Sequence, residues 1–241
     1  MRSSLLLSAL LTSQLFTAAH AETALTVLPK QVTLTGSRTQ QRLIVEAQTA
    51  EGYSGDLTAK AKFVSSAPNI ATVDRDGTVH ALKDGAVTIT ALVGKSKATA
   101  QVRVAGASKP IQWSFRNHVL PILTKAACNS GACHGAAAGK GGLKLSLRGY
   151  DHDADYNVIT RQAGGRRVFA SEPQNSLLLQ KPTMEIGHSG GKRVERASVE
   201  YARIAGWISA GIPRPKAADA RLLGVEAFPD TAHLKPGDDQ Q

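Results

Sequence analysis

The fold of the first part of the chain is decided by residues 66–104, which read SAPNIATVDRDGTVHALKDGAVTITALVGKSKATAQVRV. Apolar and polar side chains alternate along Ala86–Ala91 and Ala98–Val104, and a period of two is typical of strands with one buried face. Asp76-Gly77 and Asp84-Gly85 supply turn residues between such runs. The segment therefore predicts short antiparallel strands joined by tight turns.

Alternation of the same kind continues toward the N-terminus. It recurs at Leu25–Leu28 and Arg42–Ala47, and no stretch between residues 24 and 105 repeats apolar side chains at helical spacing. About seven short strands within about 80 residues are typical of an immunoglobulin-like sandwich. The sequence therefore predicts an all-β, immunoglobulin-like sandwich over residues 24–105.

Three pieces of this segment also carry a family resemblance. Ser66–Asp74, Gly77–Leu82 and Gly85–Ala91 are similar to the bacterial Ig-like module of group 2 (BIG2). The resemblance implies a spacer or an adhesive module of a surface protein, without catalytic residues.

The character of the chain changes after a short polar linker at residues 106–112. Apolar residues in Trp113–Ala127 fall close to helical spacing, and Ser198–Ala210 predicts a second helix with one apolar face. The acidic stretch Asp151–Asp155 between them is expected to be a solvated turn. Two helices around a loop-rich centre predict a separate, mainly α domain over residues 113–215, which makes the chain multidomain.

The only two cysteines of the chain lie between those helices, in the motif Cys128-Asn129-Ser130-Gly131-Ala132-Cys133-His134. A cysteine pair that ends in Cys-His is the signature of covalent c-type haem attachment, in which the imidazole binds the iron. Four residues separate these cysteines, whereas two are usual. A disulfide between Cys128 and Cys133 is the alternative, since cysteines so close in sequence can meet in a turn.

Several stretches around this motif resemble one family. The motif itself, Phe115–Leu123, Gly141–Asp151 and Trp207–Pro213 are similar to the planctomycete-type cytochrome c domain, and the likeness extends over residues 113–215. It implies a cytochrome c-like fold with one haem c per chain, held covalently by the two cysteines, with His134 as the proximal ligand of the iron. It implies no particular reaction.

A closed iron site needs a second axial ligand, and two side chains about fifty residues beyond the motif are candidates. His188 is favoured because related domains carry a histidine in a similar Gly-Gly-Lys-Arg setting. Met184 is the alternative, since it is the only methionine besides Met1. Cationic side chains are candidates to pair with the haem propionates, because a bidentate fork suits a carboxylate. They are Arg148, Arg166, Arg167, Lys192 and Arg193.

The first residues predict export. Arg2, the apolar stretch Leu5–Phe16 and the small-residue site Ala19-His20-Ala21 are typical of a signal peptide over residues 1–21. No later segment is apolar enough to cross a bilayer. The sequence therefore predicts a periplasmic or cell-surface protein, a compartment that permits both haem attachment and a disulfide.

The net charge of +10 at pH 7 is compatible with acidic partners, among them an acidic redox protein. The basic residues are spread along the chain, however, which favours solubility alone as the reason for the charge. Nucleic acid is not expected as a partner, because the exported chain has few aromatic residues and no recognition motif.

The last residues, 216–241, predict a mobile tail. Val225–Gln241 repeats features of Leu25–Gln41 in the same order: an apolar-proline pair, a leucine, a glycine and a final Gln-Gln. We interpret the tail as the truncated start of a second Ig-like module, so that the chain is part of a longer protein with further domains. A lone strand cannot bury its apolar face, which is why mobility is expected.

Together these features favour an exported c-type cytochrome that transfers electrons and is not itself a catalyst. One alternative is a haem enzyme or a redox subunit of a larger enzyme. Another is a haem-free surface or adhesion module, in which the sandwich is the functional part.

Overall fold

The computed structural model describes residues 24–48, 54–238 and 240, so the predicted signal peptide at residues 1–21 lies outside the described part. The chain forms two compact units. The first contains the described residues up to Pro110 together with those from Glu226 onward, and the second is Ile111–Val225.

The first unit is built from strands, ten in its described residues rather than the seven or so expected. The additional strands are only three or four residues long and carry too little alternation to be recognised in the sequence. The strands are β1 Ala24–Leu28, β2 Gln31–Thr35, β3 Gln40–Arg42, β4 Ile44–Gln48, β5 Ser54–Asp56, β6 Lys62–Ser65, β7 Ala71–Val73, β8 Thr78–Ala81, β9 Gly85–Val93 and β10 Ser96–Ala105, with a helical turn at Thr58–Lys60.

Three sheets make up this sandwich, with strand orders β1-β4-β5, β2-β10-β9-β6 and β3-β8-β7. Strands β10 and β2 pair in parallel, from Gln101 opposite Gln31 to Ala105 opposite Thr35, and the other pairs are antiparallel. The long hairpin of β9 and β10 contains both of the alternating runs that decide the fold.

The core of the first unit lies between these sheets and follows the period of two. In β9 the buried side chains are Val87, Ile89 and Ala91, and β10 contributes Ala100, Val102 and Val104. Gly77 has a positive φ of 84° in the turn before β8, where an added Cβ would lie 2.8 Å from the Leu43 carbonyl oxygen. The first unit is therefore an all-β Ig-like sandwich, as predicted.

The second unit contains short helices joined by long loops, so the expectation of a mainly helical unit is met only in part. A π-helical turn, Phe115–Val119, precedes α1, and three-residue or four-residue helical turns lie at Leu147–Gly149, Gln162–Gly165 and Pro173–Asn175. The α-helices are α1 Leu120–Lys125, α2 His152–Thr160, α3 Leu177–Gln180 and α4 Val199–Ser209.

Helix α4 lies within the predicted Ser198–Ala210, and Ser198 caps it by accepting a hydrogen bond from the Tyr201 N–H. Helix α2 corrects the expectation of a solvated turn at Asp151–Asp155. Asp151 accepts from the Ala154 N–H at 2.9 Å and caps the helix, because carboxylates are favourable at a helix N-terminus.

Aromatic side chains form the core of the second unit. The Phe115 ring lies 5.5 Å from the Trp207 ring and 5.7 Å from the Tyr156 ring, and all three side chains are buried. Polar atoms at their edges are satisfied, since the Trp207 indole N–H donates to the Pro213 carbonyl and the Tyr156 hydroxyl donates to the Ile212 carbonyl. This core holds the ends of the loops that carry the candidate site.

The tail after Val225 has no helix or strand in its described residues. Residues 226–231 line a cavity together with side chains of β1 and β4 in the first unit. Among all described residues, no helix is long and apolar enough to span a membrane.

Candidate functional site

The Cys-His motif folds into a compact turn after α1. The Cys128 N–H donates to the Leu123 carbonyl at 2.8 Å, and the His134 N–H donates to the Cys128 carbonyl at 3.0 Å. The Cys133 N–H donates to the Ser130 carbonyl at 3.0 Å. The four residues between the cysteines thus form a loop that these backbone hydrogen bonds close. Both thiols are free rather than joined in a disulfide.

Asn129 holds this loop in place, and sequence reasoning did not single it out. Its side chain is buried and donates to the Thr124 hydroxyl at 2.9 Å, while its carbonyl accepts from the Arg148 N–H at 3.0 Å. Gly135 is required beside it, because an added Cβ there would overlap the Asn129 carbonyl and lie 2.8 Å from the Ser130 carbonyl oxygen. In the sequence, Asn129 is only an asparagine that follows a cysteine. Its role was not recognisable there, because its partners Thr124 and Arg148 lie outside the motif.

His134 is oriented by a tight turn that follows the motif. Lys140 and Leu143 exchange two backbone hydrogen bonds, and the His134 Nδ1 lies 3.2 Å and 3.1 Å from their carbonyl oxygens. The Leu145 N–H donates to the His134 carbonyl at 2.8 Å. An Nδ1–H that donates to carbonyl oxygens leaves Nε2 with its lone pair available, and this atom has no hydrogen-bond partner among the described residues.

His188 is oriented in the same way by a different loop. The Pro182 carbonyl accepts from the N–H groups of Arg193 and Val194, which closes the loop between them. The His188 Nδ1 lies 3.0 Å from the Gly191 carbonyl oxygen, so its Nε2 is also left without a hydrogen-bond partner within the described part of the chain. An added Cβ at Gly190 would lie 2.8 Å from the His188 Cε1, so a glycine is needed where the ring packs.

The rings of His134 and His188 stack on each other. Their planes are within 10° of parallel and their centroids are 6.3 Å apart. Histidines that bind metals characteristically donate their other N–H to a carbonyl or carboxylate, as both do here.

Met184 lies in the same loop as His188. Its backbone is left-handed, with a φ of 65°, and its side chain is 45% exposed. The Met184 N–H donates to the Lys181 carbonyl at 3.1 Å. The ring of His188 lies 6.3 Å from that of His134, centroid to centroid.

Cys128 is half-buried, and that burial raises the pKa of its thiol. Cys133 raises the same pKa further and the Arg193 guanidinium opposes both. Within the described part of the chain, no group of three or more His, Cys, Asp or Glu side chains is placed to hold a metal ion.

The five cationic side chains predicted as partners of the haem propionates have different surroundings in the structure. Arg167 is buried and donates to three backbone carbonyls, those of Val158, Gln162 and Gly142, so its predicted role as a propionate partner is wrong. Lys192 pairs with Glu195 at 2.6 Å. The remaining candidates are exposed: Arg148, Arg166 and Arg193.

The comparisons with known proteins concern the first unit. The family model of the bacterial Ig-like domain (group 2) matches residues 21–114. Residues 21–114 are a bacterial Ig-like domain of group 2. No curated protein matches the chain.

Several solved structures resemble part of the chain. Domains 4 and 5 of the S-layer protein SbsC are 20% identical, with a TM-score of 0.30 over 34% of this chain and 51% of that one. An intimin mutant from EHEC O157:H7 is 23% identical, with a TM-score of 0.23 over 32% and 36% of the two chains. A GH10 xylanase from termite gut that contains a bacterial Ig-like domain is 22% identical, with a TM-score of 0.23 over 31% and 18%.

The chain spans about half the length of the first of these structures. The comparisons show an Ig-like domain at residues 21–114. They provide no support for a cytochrome domain.

Proposed function

We propose that the chain is an exported, two-part protein in which the Ig-like domain is a structural module and the second unit binds one haem c for electron transfer. One observation carries the second half of the proposal. The imidazoles of His134 and His188 lie parallel, 6.3 Å apart, and both direct Nδ1 to backbone carbonyls. Cys133 directly precedes His134 in the sequence, and Cys128 and Cys133 are both free thiols.

The residues of the chain fit this cofactor in their chemistry. Cys128 and Cys133 would hold it through thioether bonds, and His134 and His188 would bind the iron from its two sides. The carbonyls of Lys140, Leu143 and Gly191 fix the tautomer and orientation of the two imidazoles. When bound, the haem supplies a site that accepts or donates a single electron.

We further propose that the redox partner is acidic. Lys140 and Lys144 belong to the turn that orients His134, both are exposed, and neither has an ion-pair partner among the described residues. By contrast, Lys192 and Arg196 in the loop region of His188 are neutralised by Glu195 and Glu185. Unpaired positive charge beside a redox site accelerates encounters with acidic proteins at low ionic strength.

The decisive experiment is to express the full chain in a bacterium that matures c-type cytochromes. The purified protein should keep its haem through denaturing electrophoresis, and its mass should exceed that of the bare polypeptide by one haem. The matched control is the Cys128→Ala, Cys133→Ala double variant, which should be colourless. A wild-type product with the bare polypeptide mass would refute the haem proposal.

Spectroscopy of the same preparation tests the ligands. The wild type and Met184→Ala should both give a low-spin, six-coordinate spectrum, whereas His188→Ala should become high-spin. A wild type that is already five-coordinate and binds carbon monoxide rapidly would favour the alternative of a haem enzyme. Loss of the low-spin signal in Met184→Ala alone would make Met184 the ligand.

The second candidate function is a haem-free surface or adhesion module at the cell surface or in the periplasm. The match of residues 21–114 to the bacterial Ig-like family favours it. Under this function the double cysteine variant should bind cell-envelope material as well as the wild type does, and the wild type should show no Soret absorption. Both functions predict an exported protein, so fractionation of cells tests the export that they share.

A further inference from the structure

The outer face of strands β1 and β4 in the sandwich is partly covered. In β2 and in the second half of β10, the residues that alternate with buried ones are exposed. Thr26, Leu28 and Glu46 also alternate with side chains that point into the core, yet each of these three is partly buried. Because alternation alone would leave them in water, another segment lies over this face.

The segment that covers the face is the tail. From Glu226 onward, the described residues belong to the same compact unit as the sandwich. Residues 226–231 enclose a cavity of about 660 Å³ together with the two strands. The strand residues that line it are Ala24, Thr26, Leu28, Glu46, Ala47 and Gln48. The tail is therefore docked on the outer face of β1 and β4.

Glu46 lies beneath the tail with an oxygen that nothing satisfies. Its Oε1 is buried and has no hydrogen-bond partner among the described residues, and the same holds for both amide atoms of Gln240 near the end of the tail. In the strand ladders, Glu46 lies directly opposite Thr26 of β1 and Asp56 of β5. Like charges directly opposite each other are unfavourable, and a buried charge without a donor costs more than a neutral group. The docked tail therefore favours a protonated Glu46.

The other groups around Glu46 agree with this. Burial raises the pKa of its carboxyl above the ordinary value of 4.5, and Asp56 raises that pKa further, while the Gln240 side chain opposes both. Glu226 and Asp230 line the same cavity but are exposed, so water and salt screen their charges. Among the described residues that line the cavity, none is a lysine, an arginine or a histidine. No cation in the cavity therefore offsets the charge of an ionised Glu46.

We propose that the protonation of Glu46 controls how tightly the tail docks on the sandwich, so that the tail is held when Glu46 is neutral and released when it ionises. Docking is then strongest below the pKa that Glu46 has without the tail, close to its ordinary value of 4.5. It weakens as pH rises through the higher pKa of the docked state. Release exposes the outer face of β1 and β4. The inference concerns the first unit alone and does not depend on the haem proposal.

The test is a pH titration of the full chain, followed by nuclear magnetic resonance. The backbone amide signals of Ala227 and Thr231 should shift with the same midpoint as the carboxyl signal of Glu46. The docking equilibrium constant should fall about three-fold or more between about pH 4.5 and about pH 7.5. In Glu46→Gln the tail should stay docked throughout, because the amide is neutral at every pH.

The matched control is Asp238→Asn, which alters a carboxylate of the tail that does not line the cavity. Asp238 accepts from the Lys235 N–H at 2.9 Å, and an amide oxygen can accept the same bond. The tail signals of this variant should shift with pH as they do in the wild type.

A chain that ends at Val225 gives a second readout, which also covers the case in which Glu46→Gln fails to fold. Without the tail, the pKa of Glu46 should fall toward its ordinary value, because water then reaches the carboxyl. The same pKa in both chains would overturn the proposal. Tail signals that shift equally in Glu46→Gln, or that stay unchanged while Glu46 titrates in the wild type, would do so as well.

Discussion

The two units of the chain reach a defined structure in opposite ways. In the sandwich, long strands such as β9 and β10 alternate buried and exposed side chains, and the core follows from that period alone. In the second unit, helices are short, and single residues such as Asn129 and Gly135 decide how the loops close. The conformation of the sandwich is therefore determined by many residues that each contribute a little, whereas the conformation of the loops depends on a few individual residues.

Core truncation should give the largest effects and should separate the units. Trp207→Ala removes the buried centre of the aromatic core, which we expect to cost about 3–5 kcal/mol of unfolding free energy. Ile89→Ala in β9 should cost about 2–5 kcal/mol. Calorimetry should show that each variant lowers a different thermal transition. Ile89→Val serves as the mild control, at about 0.5–1.5 kcal/mol. Equal shifts of a single transition would contradict the division into two units.

The motif loop offers a sharper contrast between two of its glycines. An added methyl group at Gly135 would overlap the Asn129 carbonyl, so Gly135→Ala should destabilise the second unit by about 1–3 kcal/mol and sharply reduce haem attachment. Gly131→Ala is the matched control, because its Cβ would meet only the Leu147 Cδ1 at 3.9 Å, an ordinary contact. The measurements are thermal unfolding and the haem content per chain. Equal haem content in the two variants would show that the loop tolerates the overlap.

The loop of His188 contains a comparable pair. Gly190→Ala places a methyl group 2.8 Å from the His188 Cε1 and should displace the imidazole, whereas the Cβ of Gly187→Ala would meet nothing within 4 Å. We expect a high-spin fraction to appear in Gly190→Ala alone, with a loss of stability below about 1 kcal/mol. Electron paramagnetic resonance of the oxidised protein measures the high-spin fraction. A fully low-spin Gly190→Ala would indicate that His188 is not the second axial ligand.

The same contrast explains how far the sequence could be interpreted. The sandwich was predictable because alternation at Ala86–Ala91 and Ala98–Val104 is a local signal, and α4 was predictable from its cap and apolar face. Helix α2 was missed because its acidic first turn resembles a solvated loop until Asp151 is identified as the cap. The stabilising role of Arg167 was also missed, since its three carbonyl partners come together only in the folded unit.

The candidate site was predictable in its residue types and not in its geometry. The Cys-His motif identifies the thiols and one imidazole from neighbouring positions. That His188 lies parallel to His134 depends on two loops that are closed by Pro182 and by the Lys140–Leu143 turn, and no local pattern encodes their relative placement.

The smallest expected effect is a pH dependence confined to the second unit. Burial lowers the pKa of His118, and Arg203 lowers it further, while the hydrogen bond with the Ser114 carbonyl and the charge of Asp219 oppose this. Because the unfolded chain then binds the proton more readily, the contribution of His118 to stability is present above its unfolded pKa of about 6.5 and is lost as pH falls below it.

The substitution His118→Asn should remove this dependence, since an amide oxygen can still accept from the Ser114 N–H, which lies 3.0 Å from the His118 Nδ1. The measurement is the unfolding midpoint of the second unit between pH 7.5 and pH 5.5 in both proteins. The difference between wild type and variant isolates the contribution of His118. That difference should grow as pH falls, and the first unit should show none. A difference that stays constant with pH would mean that His118 is equally protonated in the folded and unfolded chain, which its half-buried contact with Trp113 and Ser114 argues against.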